Sequence, residues 1–168
     1  MVVMYTKLVG MVKKRMVITQ KCQYALRAIY ELSRHTAEGP LKIGAIAEAQ
    51  DIPVRFLENI LNSLKTIGLV DSVRGKDGGY VLLKPAGEIT VGEIIRHVQG
   101  PLGPVDCTGK KDEECCFIND CVFRPLWERA KAALEGVYDT TTIQDLLDQR
   151  EKKCTSGKCR CTAKKLKA

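Results

Sequence analysis

Pro53-Val-Arg-Phe-Leu-Glu-Asn-Ile-Leu-Asn-Ser-Leu-Lys-Thr-Ile-Gly68-Leu-Val-Asp-Ser-Val-Arg-Gly-Lys-Asp-Gly-Gly-Tyr-Val-Leu-Leu83 is the stretch that decides the fold. Its first half repeats apolar residues at helical spacing. Leu57, Ile60, Leu61 and Leu64 fall on one face, and Arg55, Glu58, Asn59 and Asn62 on the other. Pro53 suits the first turn of that helix, where a missing N–H costs little. The second half reads as two short strands around a Gly-rich loop, whose glycines let the backbone come close to a partner. An amphipathic helix followed by such a hairpin predicts a reading helix and a wing. Arg74, at the root of the wing, is placed to enter a minor groove, where the negative potential favours a guanidinium.

On the N-terminal side, Tyr24, Ala25, Ala28, Ile29 and Leu32 recur at helical spacing between Thr19 and Arg34 and predict a core-facing helix. His35 reads as a helix-end residue. Gly39-Pro40 breaks the chain, and Ile43, Ile46 and Ala47 mark a short helix that stops near Asp51. Two helices with a tight turn between them, the second polar on its exposed side, form a helix-turn-helix. On the C-terminal side, Thr90-Val-Gly-Glu93 has the capping-box form and opens a helix over Val91–Val98, with His97 at its end. Residues 124–138 form a longer helix with Trp127, Ala130, Leu134 and Val137 on one stripe, which faces either the core or a partner. Thr142-Ile-Gln-Asp145 caps a last short helix ending near Leu147.

The fold class is therefore mainly α with a small β-hairpin wing: a winged helix-turn-helix domain plus a long helix, which the resemblance given below makes a dimerisation helix. The divisions are an N-terminal extension (1–15), the winged helix-turn-helix domain (16–100), a cysteine-rich loop (101–122), the dimerisation helix and a short C-terminal helix (123–148), and a basic, cysteine-containing disordered tail (149–168). The net charge of +7 belongs to the ends. The segments 1–15, 16–85, 86–150 and 151–168 carry +4, +2, −5 and +6. Net charge is thus a poor argument for nucleic acid here, and the local motifs must carry it. No apolar run approaches the roughly 20 residues that a membrane span needs. Met1 to Met11 lacks the flanks of a secretory signal, so a cytoplasmic protein without a membrane partner is expected.

Four of the eight cysteines lie within fifteen residues: Cys107, Cys115, Cys116 and Cys121. Thiols crowded among Gly, Asp and Glu are poor core material, and in a reducing compartment they point to a soft metal or an iron–sulfur centre. The absence of Cys-x2-Cys pairs disfavours structural zinc. A thiol enzyme is disfavoured too, because neither histidine lies near a cysteine in the sequence and no Ser/His/Asp set or complete phosphate loop is present.

Tyr24-Ala-Leu-Arg-Ala, Ile46-Ala-Glu, Phe56-Leu-Glu58, Gly68-Leu-Val, Val73-Arg-Gly, Gly78-Gly-Tyr, Ile89-Thr-Val-Gly-Glu-Ile-Ile and Gly100-Pro-Leu resemble the IscR/NsrR/CymR-type winged-helix regulators of bacteria, and most of all their iron–sulfur branch, IscR. The resemblance covers roughly residues 16 to 148. It implies a homodimer on palindromic double-stranded DNA, with Arg55, Glu58 and Asn59 at base edges or phosphates and Arg74 with Gly79 at the minor groove. It also implies that Cys107, Cys115 and Cys121 hold an iron–sulfur cluster, 2Fe–2S favoured over 4Fe–4S, with Cys116 either the rival of Cys115 or a fourth ligand. The chain departs from the pattern at three places. Residues 1–15 precede the usual start, Pro53 replaces a common capping serine, and Arg124 stands where the IscR branch has a histidine. The fourth ligand is left open between Cys116, Cys22 and a group outside the pattern; other members take a carboxylate at a place equivalent to Gln23. The function implied is a non-enzymatic transcriptional regulator, a repressor, tuned by its cluster and controlling cluster-biogenesis genes. The alternatives are a same-family regulator of nitric oxide response or cysteine metabolism, or a zinc-stabilised interaction module.

Overall fold

The structure is a computed structural model and describes residues 18–105, 108 and 120–155. The extension 1–15, most of the cysteine loop and residues 156–168 lie outside the described residues. Helix α1 (Gln20–Arg34) is capped by Thr19, whose hydroxyl accepts from the Cys22 N–H, and its apolar face is the centre of the core. Helices α2 (Ile43–Gln50) and α3 (Val54–Thr66) pack on it. Between them the chain turns at Asp51, in the left-handed region at φ 52, and the Ile52 N–H reaches back to the Ala47 carbonyl at 2.9 Å. A short acidic side chain tolerates that conformation better than a bulky one, so the turn is tight without glycine.

Leu57, Ile60, Leu61 and Leu64 of α3 are all buried, each contributing about 1.5–3 kcal/mol by removal from water. Strands β1 (Val70–Val73) and β2 (Gly79–Leu82) pair antiparallel with Val73 opposite Gly79, and Leu41 adds a one-residue third strand by exchanging two hydrogen bonds with Tyr80. Helix α4 (Val91–Gln99) starts at Thr90, whose hydroxyl accepts from the Glu93 N–H at 3.1 Å, as the capping box predicts.

After the cysteine loop comes α5 (Arg124–Thr140), then α6 (Ile143–Thr155). Thr142 and Asp145 cap α6 reciprocally, and the Thr142 hydroxyl holds the Asp145 carboxyl below the usual carboxylate range. Helix α6 runs past the end near Leu147 that its apolar pattern predicts, so residues 149–155 are helical rather than part of a disordered tail. The reason is a tertiary contact: Arg150 donates to the Tyr30 hydroxyl at 3.2 Å and lies 5.9 Å from the centre of that ring on α1.

None of the 17 residues of α5 is buried. Trp127, Ala130 and Leu134 are half-buried, while Val137 joins Phe123, Leu126 and Ala133 on an outward face. The apolar stripe thus divides: one edge meets its own chain, and the exposed residues 123, 126, 133 and 137, with the half-buried Ala130 between them, run at the alternating three-and-four spacing of a helix seam.

Candidate nucleic-acid interface

Helix α3 buries one side completely and leaves the other bare. Arg55, Glu58 and Asn59 are all exposed, as their spacing predicts, and Asn62 extends the row. Pro53 is the N-cap residue and offers no side-chain cap; its carbonyl accepts from the Phe56 and Leu57 N–H groups at 3.0 and 3.1 Å. Phe56 is 61% exposed on this polar surface, an aromatic side chain that its period alone would place no more outward than inward.

The wing is tied to the far end of the same helix. Lys65 Nζ lies 2.6 Å from Asp71 Oδ1 and donates to Ser72 Oγ at 2.8 Å, so the last turn of α3 and the first strand move together. That ammonium and the Ser72 N–H hold the Asp71 carboxyl below its ordinary range. Arg74, Gly75, Lys76 and Asp77 form the exposed tip. Gly75 adopts φ 117 and accepts from the Gly78 N–H at 3.1 Å, a turn that an L side chain would strain. Lys76 adds a second cation at the tip that the pattern of strands and glycines does not single out.

Gly79 lies inward of the tip, half-buried. A Cβ there would stand 2.5 Å from the Leu41 carbonyl oxygen and 2.6 Å from its carbon. Its lack of a side chain is therefore accounted for within the chain, by the approach of Leu41 to β2.

Of the cysteine set, Cys121 is described: a half-buried, free thiol just before α5, whose carbonyl accepts from the Arg124 N–H at 3.2 Å. Cys107, Cys115 and Cys116 lie outside the described residues. Among the described residues no group of three or more His, Cys, Asp or Glu side chains comes together as a metal site.

The family model described as an iron-dependent transcriptional regulator, Rrf2, matches residues 18–149. The chain belongs to the Rrf2 family. Its relatives include the HTH-type transcriptional regulator CymR of Bacillus subtilis, 38% identical over 131 residues that cover 78% of this chain and 89% of that one. The regulator IscR of Serratia proteamaculans is 35% identical over 134 residues, covering 80% of each chain. Among solved structures, T. potens IscR superposes with a TM-score of 0.68 at 33% identity, covering 81% of this chain and 89% of that one. The global cysteine regulator CymR of B. subtilis superposes at 0.67 and 37%, covering 79% and 97%. Rrf2 membership makes the chain a DNA-binding regulator rather than an enzyme, and its winged-helix architecture is that of these structures. Among the described residues no helix is long and apolar enough to cross a membrane.

Against the Rrf2 pattern, the candidates for a fourth ligand change. Cys22 is fully buried among Val91, Ile95 and Leu102, and burial pushes its thiol up to about 11. A thiol turned into an apolar cluster, its ionisation disfavoured by burial, packs as a core residue. Arg124 donates from Nε to Glu128 Oε1 at 2.8 Å, and a guanidinium has no lone pair to give a metal. Gln23 is exposed and donates to the Ile18 carbonyl at 3.0 Å. The histidines hold the fold: His97 Nε2 lies 2.8 Å from the Ser63 carbonyl oxygen and 3.0 Å from its hydroxyl, and His35 sits between Glu31 and Glu38. The burial of Cys22 has a chemical consequence. Under iodoacetamide at pH 8, Cys22 of the native protein is expected to remain unmodified while the exposed Cys154 reacts, as read by peptide mass spectrometry. Equal labelling would contradict the burial.

Proposed function

We propose that this Rrf2 protein is a cytoplasmic, homodimeric repressor that binds a palindromic operator and whose operator affinity is set by an iron–sulfur cluster, 2Fe–2S in type, held by Cys107, Cys115 and Cys121. The genes under its control are those of cluster biogenesis. The observation that carries the DNA part is the bare face of α3, with Arg55, Glu58 and Asn59 on it, coupled through Lys65 to a wing that ends in Arg74 and Lys76. A helix with that face suits a major groove, and two cations on a narrow hairpin suit the neighbouring phosphates and minor groove. The apolar row on α5, left uncovered by its own chain, supports a paired α5 from a second copy, and two reading heads related by a two-fold call for an inverted repeat.

The cluster part rests on donor chemistry. Three soft thiols fall within one loop, and Cys121 among them is half-exposed, free of a disulfide and outside the core clusters. A bound cluster would supply a redox- and oxidant-sensitive centre there; what the protein supplies is the connection, because Cys121 stands three residues before α5. Rearrangement of the loop can therefore be felt by the dimer helix. The domain divisions follow from this reading, with 16–100 touching DNA, 101–122 sensing and 123–148 pairing the chains.

The wing is tested by Arg74→Ala. Operator affinity should fall by about 1–3 kcal/mol in binding free energy, with the thermal midpoint unchanged. A variant that binds like the wild type would remove Arg74 from the interface. A second reading, a regulator of cysteine metabolism, draws on the CymR relative. Iron and sulfide analysis of anaerobically purified protein separates the two, since that reading requires no cluster.

A further inference from the structure

Helix α4 touches two partners through consecutive residues. Arg96 forms a two-pronged ion pair with Asp139 near the end of α5, Nη2 to Oδ1 at 2.6 Å and Nη1 to Oδ2 at 3.1 Å. His97, next in the chain, engages Ser63 on α3 through the bonds described above. One turn of a short helix therefore reaches both the reading helix and the dimer helix. Gly92 makes the seat for the carboxylate: a Cβ at that position would collide with Asp139 Oδ1. Since α5 buries no residue of its own, it packs on the DNA-reading part mainly through α4, where this pair stands beside Tyr138 on the Val91–Ile95 cluster and the Val91 N–H to Thr141 carbonyl bond just past the helix end.

Both partners of the ion pair are 41% exposed, so the pair adds little to stability. Its value lies in geometry. A planar guanidinium gripping both carboxylate oxygens fixes an angle as well as a distance.

We propose that the Arg96–Asp139 pair is a positioning strut that sets the separation of the two reading heads, and hence the half-site spacing that the protein accepts. This rests on the dimer reading above. Adding one base pair at the dyad moves a half-site by about 3.4 Å and turns it by about a tenth of a helical turn. A stiff pair of heads cannot follow that displacement, and a loosened pair can.

The test uses the full chain and a duplex that the wild type selects from a random pool, resynthesised with one base pair added or removed at the dyad. Wild type should prefer the selected spacing by about ten-fold or more over either altered duplex. Arg96→Ala, and independently Gly92→Ala, should shrink that preference to about two-fold while sedimentation still shows a dimer. The charge-swapped pair R96E/D139R should restore it. Should Gly92→Ala fail to fold, Arg96→Ala alone decides. A dimeric Arg96→Ala protein with the wild-type preference overturns the strut and leaves the dimer reading standing. A selected duplex without a dyad, or a monomeric wild type, overturns both.

Discussion

Serine at Cys107, Cys115 and Cys121 together is expected to give a protein that folds and pairs as before but is colourless, where the anaerobically purified wild type is brown and carries iron and sulfide in equal amounts. Cys121 is half-buried and lies in neither core cluster, so its substitution removes a donor without opening a cavity. Operator affinity should shift by about 5- to 150-fold, the range of a coupling of about 1–3 kcal/mol. Its direction tells whether the loaded or the empty form is the tighter binder. Unchanged absorption together with unchanged operator affinity would end the sensor reading while leaving the Rrf2 fold intact. Zinc in place of iron would favour the stabilised-module alternative. Cys116→Ser, made separately, tests its standing against Cys115: loss of colour there identifies Cys116 as a ligand.

The second large effect is expected at Gly79. Alanine there forces its Cβ onto the Leu41 backbone, and neither strand of that contact can yield without losing the hydrogen bonds between Leu41 and Tyr80. The cost is about 1–3 kcal/mol of stability, as for other overpacked sites, and operator binding falls with it because the wing is displaced. The pattern contrasts with Arg74→Ala, which should lose binding at constant stability. If Gly79→Ala kept the wild-type thermal midpoint and lost only binding, the glycine would be touching the duplex directly.

The helix-turn-helix and the hairpin are readable from residues alone because two strong local rules agree: the change of period from 3.6 to 2 after Ile67, and turn residues placed where the period changes. The outward row of α3 follows from the same period. What could not be read were facts of packing between distant segments. Residues 148–155 contain no apolar stripe, and they stay helical because Arg150 finds Tyr30 on α1, more than a hundred residues earlier. Gly79 looks like part of a flexible tip until Leu41 is seen against it. Cys22 stands at helical spacing from Ala25 and Ile29 on the apolar face of α1, but its packing against Val91, Ile95 and Leu102 is a contact between distant segments. On α5 the period identifies an amphipathic helix, but an isolated wheel cannot tell which apolar edge meets α4 and which stays bare.

That bare edge has a consequence for dosage. A subunit by itself must leave Phe123, Leu126 and Val137 in water, so at dilute levels the population of pairs rises with the square of the amount synthesised. Modest changes in expression would then be amplified at the promoter before any signal reaches the thiols.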